Sequence, residues 1–520
     1  MKNISICLTL LLFVVGLPAF GQAQSDLDKE QQAREHLFQA KKMMDFGKYF
    51  ESLERCQTAW ELSPETKTQG EALLAQAALM SIFLDAPEAA LGVYHEIMAK
   101  YPQSAETALF REGLLLLELG RTAEAEAGLL SYKKKYPAGE FLPQTETLLG
   151  EIKKMPSRAA GSPGEGPLPP VAPLGSSPQV RVCLCLTDGE ATIRGTQATP
   201  IQASDLESKD SFKIKAAGDQ LFVNGLPSKQ KKVTFQSDSP LGINCGIKRK
   251  QVRGRLVAGL EDGKLLIVNL VDLEEYLFSA VTSDANSSWP LDTLKAQAII
   301  ARTYALYQQL HRQDLTYDLV DDEGEQIYSG TSREHPKGRQ AVRETKGAII
   351  SYQGRPILAV RNSNSGGYTA DSGEIFGLPK PYLVAQPDPE SLNGKMARWQ
   401  RKITPTQIEA ALAAKGLKIT GLKDINPAVK GSCGRVIKMS LVSANGTATY
   451  RTRTVLSSPL NFPEILIDIE HRNNQFIFSG RGLGHGVGYS QWGGATLGAT
   501  MNYEAILKFY YPGTTLTKMW

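Results

Sequence analysis

Residues 271–308 read VDLEEYLFSAVTSDANSSWPLDTLKAQAIIARTYALYQ, and the other segments of the C-terminal part are interpreted around them. Apolar side chains recur at helical spacing on both sides of a short break. They are Leu273, Tyr276, Leu277, Ala280 and Val281 before the break and Leu294, Ala298, Ala301, Ala305 and Leu306 after it. Pro290 suits the N-terminus of a second helix. The pattern predicts two helices separated by a break, with Asp284 at the break, where its carboxyl group can face a cleft.

Length and composition favour a multidomain globular protein. A chain of 520 residues predicts two to four domains, and its apolar, aromatic and charged fractions exclude disordered and fibrous classes. The net charge of +4 over this length argues against a nucleic-acid partner. A mildly basic exported protein can still associate with an anionic wall polymer.

The N-terminus predicts export. Residues 1–23 combine Lys2, an apolar run at 4–15, a break at Gly16 and Pro18, and a cleavage site of small residues near Ala23. The apolar run is too short to span a bilayer, although an uncleaved anchor or a buried helix is the alternative. No later run is long enough to cross a membrane. We therefore expect a protein of the periplasm or cell-wall space, without a transmembrane segment after signal cleavage.

The cysteines give no metal pattern. Of six cysteines, Cys7 lies in the signal, which leaves Cys56, Cys183, Cys185, Cys245 and Cys433. An odd number in an oxidising compartment requires at least one that is unpaired or paired between chains. The spacing of Cys183 and Cys185 does not match a zinc site. Most of these residues are expected to be small buried hydrophobes.

Residues 25–155 are helical in pattern and repetitive. Pro64, Pro102 and Pro137 each follow a predicted helix at a spacing close to that of a tetratricopeptide helix pair. Small residues precede each proline by twelve positions and bulkier ones by eight. These are Ser52, Ala90 and Ala125, and then Cys56, Tyr94 and Leu129. A tetratricopeptide-like array that docks partner proteins is one interpretation, and an unrelated helical bundle is the alternative.

A Pro/Gly/Ser-rich linker at 156–178 separates this array from the rest of the chain. From residue 180 onward, short strand patterns punctuated by Gly, Asp and Asn mix with helices without a regular βαβ alternation. The sequence predicts an all-α array followed by an α+β domain at 180–520.

The segment FIFSGRGLGHGVGYSQWGGATLG at 476–498 is rich in glycine. Its spacing fits a nucleotide-binding loop poorly, and no Gly-Lys-Ser/Thr or following βαβ unit is present. The alternative is a glycine turn that brings backbone close to a ligand or a neighbouring segment. Arg481, His485 and Gln491 would supply its polar groups.

Eight separate motifs are spread over residues 180–520. They are VRGRLVAG (252–259), VDLEEYL (271–277), WPLDTLKAQAIIARTYAL (289–306), QIYSG (326–330), SNSGGYT (363–369), PYLVAQPDP (381–389), GRGLGHGVGYSQWG (480–493) and ILKFYYPGTTL (506–516). In their order and spacing, they resemble the stage II sporulation protein D (SpoIID/LytB) family. The resemblance implies a secreted lytic transglycosylase that cleaves peptidoglycan strands stripped of stem peptides. One carboxylic acid protonates the glycosidic oxygen, and the sugar's 6-hydroxyl closes onto C1 to leave a 1,6-anhydro end.

Two departures from the family stand out. Asp284 occupies the position of the family's catalytic glutamate, and its side chain is one methylene, roughly 1.5 Å, shorter. A general acid must also be substantially protonated, and apolar neighbours such as Trp289 could disfavour the charged form. The histidine and cysteine that some relatives have near 318–326, and a histidine in place of Asn362, are missing, so we predict no metal and no cofactor.

Two functional interpretations stay open. In the first, Asp284 is the catalytic acid of a transglycosylase, within a sugar groove formed by Arg302, Gln326, Tyr328, Ser363, Ser365, Tyr368, Arg481, His485 and Gln491. In the second, the protein is a catalytically degenerate glycan-binding adaptor or amidase enhancer. Its helical repeats would then recruit other cell-wall hydrolases or division and morphogenesis proteins. The carboxylates Asp321, Asp322, Glu323 and Glu325 are expected to form a solvated loop, with a substitute acid among them as the alternative.

Overall fold

The computed structural model describes residues 17–45, 48–84, 86–153, 170–196, 199–204, 206–313, 315–322, 326–415 and 417–520. The signal-peptide prediction lies outside these residues at 1–16, and residues 17–23 begin the first helix. The linker prediction lies outside them at 156–169. Among the residues that are described, no helix is both long and apolar enough to cross a bilayer.

Helices make up the described part before the linker, as predicted. They are α1 (Leu17–Asp45), α2 (Tyr49–Leu62), α3 (Thr66–Ala78), α4 (Pro87–Lys100), α5 (Ala105–Glu118), α6 (Thr122–Lys135) and α7 (Leu142–Ile152). Each helix packs against the next along the chain. A π-helical turn, Leu79–Phe83, extends α3.

The predicted repeat positions are buried. The small residues Ser52, Ala90 and Ala125 and the bulkier Cys56, Tyr94 and Leu129 are all at most 2% exposed. Pro64, Pro102 and Pro137 follow the ends of α2, α4 and α6. A helical array with a repeating core is therefore confirmed, and its tetratricopeptide identity stays a prediction.

Two antiparallel sheets follow the array. Their strands are β1 (Gln179–Thr187), β2 (Glu190–Arg194), β3 (Ile201–Ala203), β4 (Leu206–Lys209), β5 (Ser211–Ala217), β6 (Gln220–Val223), β7 (Leu226–Pro227), β8 (Val233–Gln236), β9 (Leu241–Cys245), β10 (Lys248–Val252), β11 (Arg255–Glu261) and β12 (Lys264–Asp272). The strand order is β1-β12-β11-β8-β3-β4 in one sheet and β10-β9-β2-β5-β6-β7 in the other. Alternate residues of β5 are buried, as period-two patterning requires.

A disulfide between Cys185 of β1 and Cys245 of β9 joins the two sheets. Cys56, Cys183 and Cys433 are buried thiols, which agrees with the expectation of small core residues.

The predicted helix pair is present as α8 (Leu273–Asp284) and α9 (Leu291–His311), with the break between them. The Asp272 side chain caps α8 by accepting from the Glu274 and Glu275 amides at 2.8 and 3.3 Å. Most of α9 is buried on every face, so this helix is the centre of the C-terminal core.

Short elements surround α9. They are β13 (Leu319–Val320), α10 (Pro336–Glu344), β14 (Ala348–Tyr352), β15 (Arg355–Pro356), β16 (Arg361–Asn362), β17 (Gly367–Tyr368), α11 (Ser372–Phe376) and β18 (Pro387–Asp388). β13 extends the first sheet by pairing in parallel with β1.

A segment with its own apolar core comes next. It contains β19 (Trp399–Ile403), α12 (Pro405–Ala413), β20 (Asp424–Lys430), β21 (Val436–Ser443), β22 (Gly446–Arg451), α13 (Ser458–Leu460), β23 (Ile467–Arg472) and β24 (Gln475–Gly480). The chain then returns with β25 (Tyr489–Ser490), α14 (Gln491–Leu497), α15 (Tyr503–Tyr510) and β26 (Thr515–Lys518). β25 pairs in parallel with β16, and β26 pairs with β14. The mixture confirms the α+β prediction.

A buried ion pair fixes α8 against α9. Arg302 of α9 is 0% exposed and donates to both Glu274 carboxylate oxygens at 3.0 and 2.7 Å. Glu274 also accepts from the Gly347 amide and the Trp520 indole, each at 3.0 Å. Arg302 donates further to the Ala348 and Val342 carbonyls at 3.1 and 3.3 Å. One pair therefore joins two helices, the start of β14 and the C-terminal residue.

We expect Glu274→Gln to lower the free energy of unfolding by roughly 3–5 kcal/mol, because it leaves the Arg302 charge buried without its counter-ion. Urea denaturation measures the change. Glu275→Gln is the matched control, since the neighbouring Glu275 lies outside this pair, and a change within about 0.5 kcal/mol is expected there. Equal effects of the two substitutions would contradict the role given to the pair.

Candidate active-site cavity

A cavity of about 580 Å³ lies at the C-terminal end of α8, where the helix stops at Asp284. Its walls come from α2 of the helical array, the break region with its neighbouring loops, α11, the segment with its own core, and the glycine-rich segment. The lining residues are Phe50, Glu51, Leu53, Glu54, Gln57, Asp284, Tyr304, Ile327, Val360, Arg361, Asn362, Ser363, Ile375, Phe376, Arg453, Leu483, Gly484, His485 and Gln491.

Asp284 is held by polar partners. Arg361 Nε and Gln297 Nε2 both donate to its Oδ2, the latter at 2.9 Å. Gln491 Nε2 donates to the Asp284 backbone carbonyl at 3.2 Å. Arg361 is thus the counter-ion of Asp284. Trp289, which the sequence suggested as an apolar neighbour, packs edge-on against Trp492 at 5.3 Å.

The β16–β25 pairing sets the position of Arg361. Asn362, the next residue, is 4% exposed and donates from Nδ2 to the Val487 and Tyr489 carbonyls, each at 3.2 Å. These bonds join the polar loop at 362–368 to the glycine-rich segment. Arg361 and Ser363, on either side of Asn362, line the cavity as a result.

The glycine-rich segment packs on a buried arginine. Arg435 is 0% exposed and donates to the Ser365 and Tyr368 carbonyls at 2.8 and 2.9 Å. A Cβ added at Gly486, where φ is +76°, would lie 2.0 Å from Arg435 Nη2. Glycine is therefore required at this position both for its backbone conformation and for the close approach of the guanidinium.

His485 is neutral over the physiological pH range. Burial lowers its pKa from 6.5 to about 3, and the charges of Arg453 and Arg435 act in the same direction. The Val487 amide donates to His485 Nδ1 at 3.0 Å, which leaves the ring proton on Nε2. His485 can thus donate one hydrogen bond without carrying a charge.

Four of the predicted site residues line the cavity: Asp284, Ser363, His485 and Gln491. Arg302 lies elsewhere, in its ion pair with Glu274. Gln326 is buried, accepting from the Tyr276 hydroxyl at 2.9 Å and donating to the Ala301 carbonyl at 3.2 Å.

The other four predicted residues also lie outside the lining. Tyr328 is 1% exposed, with its ring 4.9 Å from that of Tyr276. Ser365 is buried and donates to Asp388 Oδ2 at 2.6 Å. Tyr368 is 42% exposed, and Arg481 is absent from the cavity walls. Their roles in sugar binding stay predictions.

The acidic segment is only partly a solvated loop. Asp321 is 6% exposed, forms ion pairs with Lys248 and Lys250, and accepts from the Tyr328 amide at 2.9 Å. Asp322 forms an ion pair with Lys48 at 3.1 Å. Glu323 and Glu325 lie outside the described residues. Across the described chain, no group of three or more His, Cys, Asp or Glu residues could hold a metal ion.

Several lining residues were not identified from the sequence. Two of them could have been found, because they lie in or beside motifs identified in the sequence. Arg361 directly precedes the polar loop, and Tyr304 belongs to the ARTYAL part of the second helix. No sequence pattern indicated Arg453 or the residues of α2, because their place in the cavity depends on how distant segments pack together.

Comparisons with known proteins agree with this architecture. The family model described as Stage II sporulation protein (SpoIID) matches residues 261–352, which include α8, α9 and Asp284. The chain carries a SpoIID domain. This match confirms the resemblance seen in the motifs. A second model, Domain of unknown function (DUF8618), matches residues 382–488, which include the segment with its own core.

Three curated relatives illustrate the similarity. An uncharacterized protein of Brachyspira hyodysenteriae is 29% identical over 254 residues, 48% of this chain and 68% of that protein. The amidase enhancer of Bacillus subtilis is 28% identical over 291 residues, 46% of this chain and 40% of the enhancer. Stage II sporulation protein D of Bacillus subtilis is 27% identical over 269 residues, 48% of this chain and 76% of that protein.

We expect Gly486→Ala to destabilise the protein more than Gly513→Ala. Both glycines have φ near +75°, but only Gly486 has the Arg435 guanidinium in the path of a Cβ. The φ strain alone costs about 1 kcal/mol, and the collision adds to it. Urea denaturation of the two variants separates the effects, and equal losses would contradict the close contact.

We expect His485 to make the protein sensitive to acid. Because its pKa is about 3 when folded and 6.5 ordinarily, the unfolded chain binds the proton more tightly. Its contribution to stability is complete above pH 6.5 and is lost as pH falls toward 3. The slope of unfolding free energy against pH should therefore be shallower in His485→Gln. An unchanged slope in His485→Gln would contradict the assignment.

Proposed function

We propose that this protein is an exported cell-wall enzyme that cleaves peptidoglycan glycan strands by lytic transglycosylation at the Asp284 cavity. The main supporting observation is that Asp284, at the family's acid position, faces a polar cavity with Arg361, Ser363 and Gln491. The SpoIID domain and the similarity to the amidase enhancer support a cell-wall-related role.

The cavity suits a saccharide. Its volume of about 580 Å³ is within the range of small-ligand sites. Within the part of the chain that the structure describes, Oδ1 of Asn362 and Nε of Arg453 have no hydrogen-bond partner, so an acceptor and a donor in the cavity lining are available for sugar hydroxyls. Tyr304 and Phe376 add ring surface against which a sugar can pack.

The geometry around Asp284 favours one half of the reaction. As the glycosidic bond breaks, positive charge develops at C1 and the ring oxygen of the sugar. A carboxylate held by Arg361 and Gln297 can stabilise this charge and accept the proton of the 6-hydroxyl as that oxygen closes onto C1. Because the nucleophile belongs to the substrate, no activated water is needed. The other half of the reaction, protonation of the leaving oxygen, requires a proton donor, whereas Asp284 Oδ2 already accepts hydrogen bonds from Arg361 and Gln297.

That same ion pair is the observation that favours the second candidate function. The short Asp284 side chain is held in an ion pair with Arg361, which suits a protein that binds glycan without cleaving it. Such an adaptor would recruit or stimulate another wall enzyme. In this case, the helical array would dock cell-wall hydrolases or division and morphogenesis proteins. Export is supported under either function by the Cys185–Cys245 disulfide, since such bonds persist in oxidising compartments.

We expect wild-type protein to release 1,6-anhydro ends from peptide-free glycan, detected by mass spectrometry. Asp284→Asn should reduce the rate about 10²-fold or more, because a neutral amide can neither stabilise the charge nor take the proton. Asp188→Asn is the control, since Asp188 is 82% exposed and is not among the residues that line the cavity.

Asp284→Glu tests whether the short aspartate side chain limits contact between the carboxyl group and the substrate. A higher rate in this variant would show that the shorter side chain limits catalysis. Wild-type protein that binds glycan but releases no anhydro ends would contradict the enzyme proposal and favour the adaptor.

A further inference from the structure

The helical array forms one wall of the Asp284 cavity. Phe50, Glu51, Leu53, Glu54 and Gln57 of α2 all line it, and their spacing of three and four residues places them on one helix face. The cavity therefore lies between α2 and the part of the chain after the linker, which supplies lining residues from Asp284 to Gln491. Neither part encloses it alone.

Contacts along the length of α2 hold this wall in place. The Phe50 and Phe376 rings lie 4.2 Å apart, and Gly377, with φ of +71°, leaves room for the Gln57 amide. Polar contacts and a cation–π contact extend from one end of the helix to the other. They are Lys48–Asp322 at 3.1 Å, Arg312 over the Tyr49 ring at 4.4 Å, Thr58–Thr454 at 3.0 Å and Glu61–Lys438 at 2.8 Å. These contacts fix where the α2 side chains point.

Glu51 and Asp284 are carboxyl groups in opposite environments within one cavity. Burial is the largest effect on Glu51 and raises its pKa. A hydrogen bond within its own backbone and the charge of Lys48 lower this pKa, whereas the charges of Glu54 and Asp322 raise it, and the net shift is upward. Asp284 has Arg361 as its counter-ion. The opposite wall also presents Arg453 and the neutral His485. When two carboxyl groups in one site have contrasting environments, one can act as the acid and the other as the base.

On the basis of the proposed lytic function, we propose that Glu51 of the helical array is the proton donor of this cavity and that Asp284, paired with Arg361, is the base that accepts the second proton. The Glu51 proton passes to the glycosidic oxygen, which keeps the electron pair of the breaking C1–O bond and leaves as a hydroxyl. The 6-hydroxyl oxygen forms the new bond to C1, and its proton passes to Asp284. Glu51 ends ionised and Asp284 protonated, and exchange with water restores both.

This assignment gives the array a catalytic role. Asp284 supplies the base, and α2 of the array supplies the acid. The active site is complete only when α2 is docked.

Glu51→Gln in the full chain tests the proposal. We expect kcat on peptide-free glycan to fall about 10²–10⁴-fold, because glutamine keeps the shape of the side chain but cannot give up a proton. Glycan binding, measured by co-sedimentation with purified strands, should stay within about threefold of wild type, since general acid catalysis acts in the transition state. Glu88→Gln is the matched control, because Glu88 lies on α4 of the same array, is 74% exposed and contacts Arg121.

Glu54→Gln separates proton donation from the loss of negative charge in the cavity. Glu54 lies one turn further along α2, so its substitution should change KM more than kcat. Wild-type kcat in Glu51→Gln, or an equal fall in kcat in Glu54→Gln, would overturn the assignment of Glu51 alone. Wild-type protein that forms no anhydro ends would instead overturn the proposed function, and this inference with it.

The pH dependence gives a second readout that does not depend on the folding of a variant. An acid must be protonated, so kcat/KM of the wild type should fall as pH rises through the ionisation of Glu51. In Glu51→Ala, added formate should restore cleavage by entering the space left by the side chain. A rate that stays flat on the alkaline side, or an absence of rescue in a folded variant, would contradict the proposal.

Discussion

The ion pair between Glu274 and Arg302 is the interaction on which the C-terminal half depends. It is buried, and its hydrogen bonds reach α8, α9, the start of β14 and the side chain of Trp520. Because α8 ends at Asp284, any rotation of this helix would move the Asp284 carboxyl group relative to Arg361 and Gln297. A structural pair about ten residues from the cavity thereby sets the position of the group that the cavity presents to a ligand.

The sequence was informative where local pattern determines structure. The two helices, the break at Asp284 and the repeat positions of the array follow from apolar spacing and proline placement, and all of them are present. The direction of a side chain is a different matter. Arg302 and Gln326 belong to family motifs, yet they point into the core, because a charged or amide group there satisfies buried partners. The wall formed by α2 could not be predicted, since it arises from packing between segments more than two hundred residues apart in sequence.

The segment with its own core also contributes to the cavity. Arg435 donates hydrogen bonds to the polar loop and packs against the glycine-rich segment, and Arg453 lines the cavity itself. Glu464, with no exposed side-chain surface, forms ion pairs with both arginines at 3.3 and 3.5 Å. A segment that matches a domain of unknown function is thus joined to the SpoIID domain at the point where chemistry is proposed.

The position of α2 has a consequence for polymeric substrates. A cell-wall strand, the substrate proposed above, is a long unbranched chain, and α2 forms one wall of the cavity that would bind it. Any stretch of strand that reaches Asp284 must therefore lie alongside α2, so the docked position of this helix decides whether strand ends or internal stretches are cut.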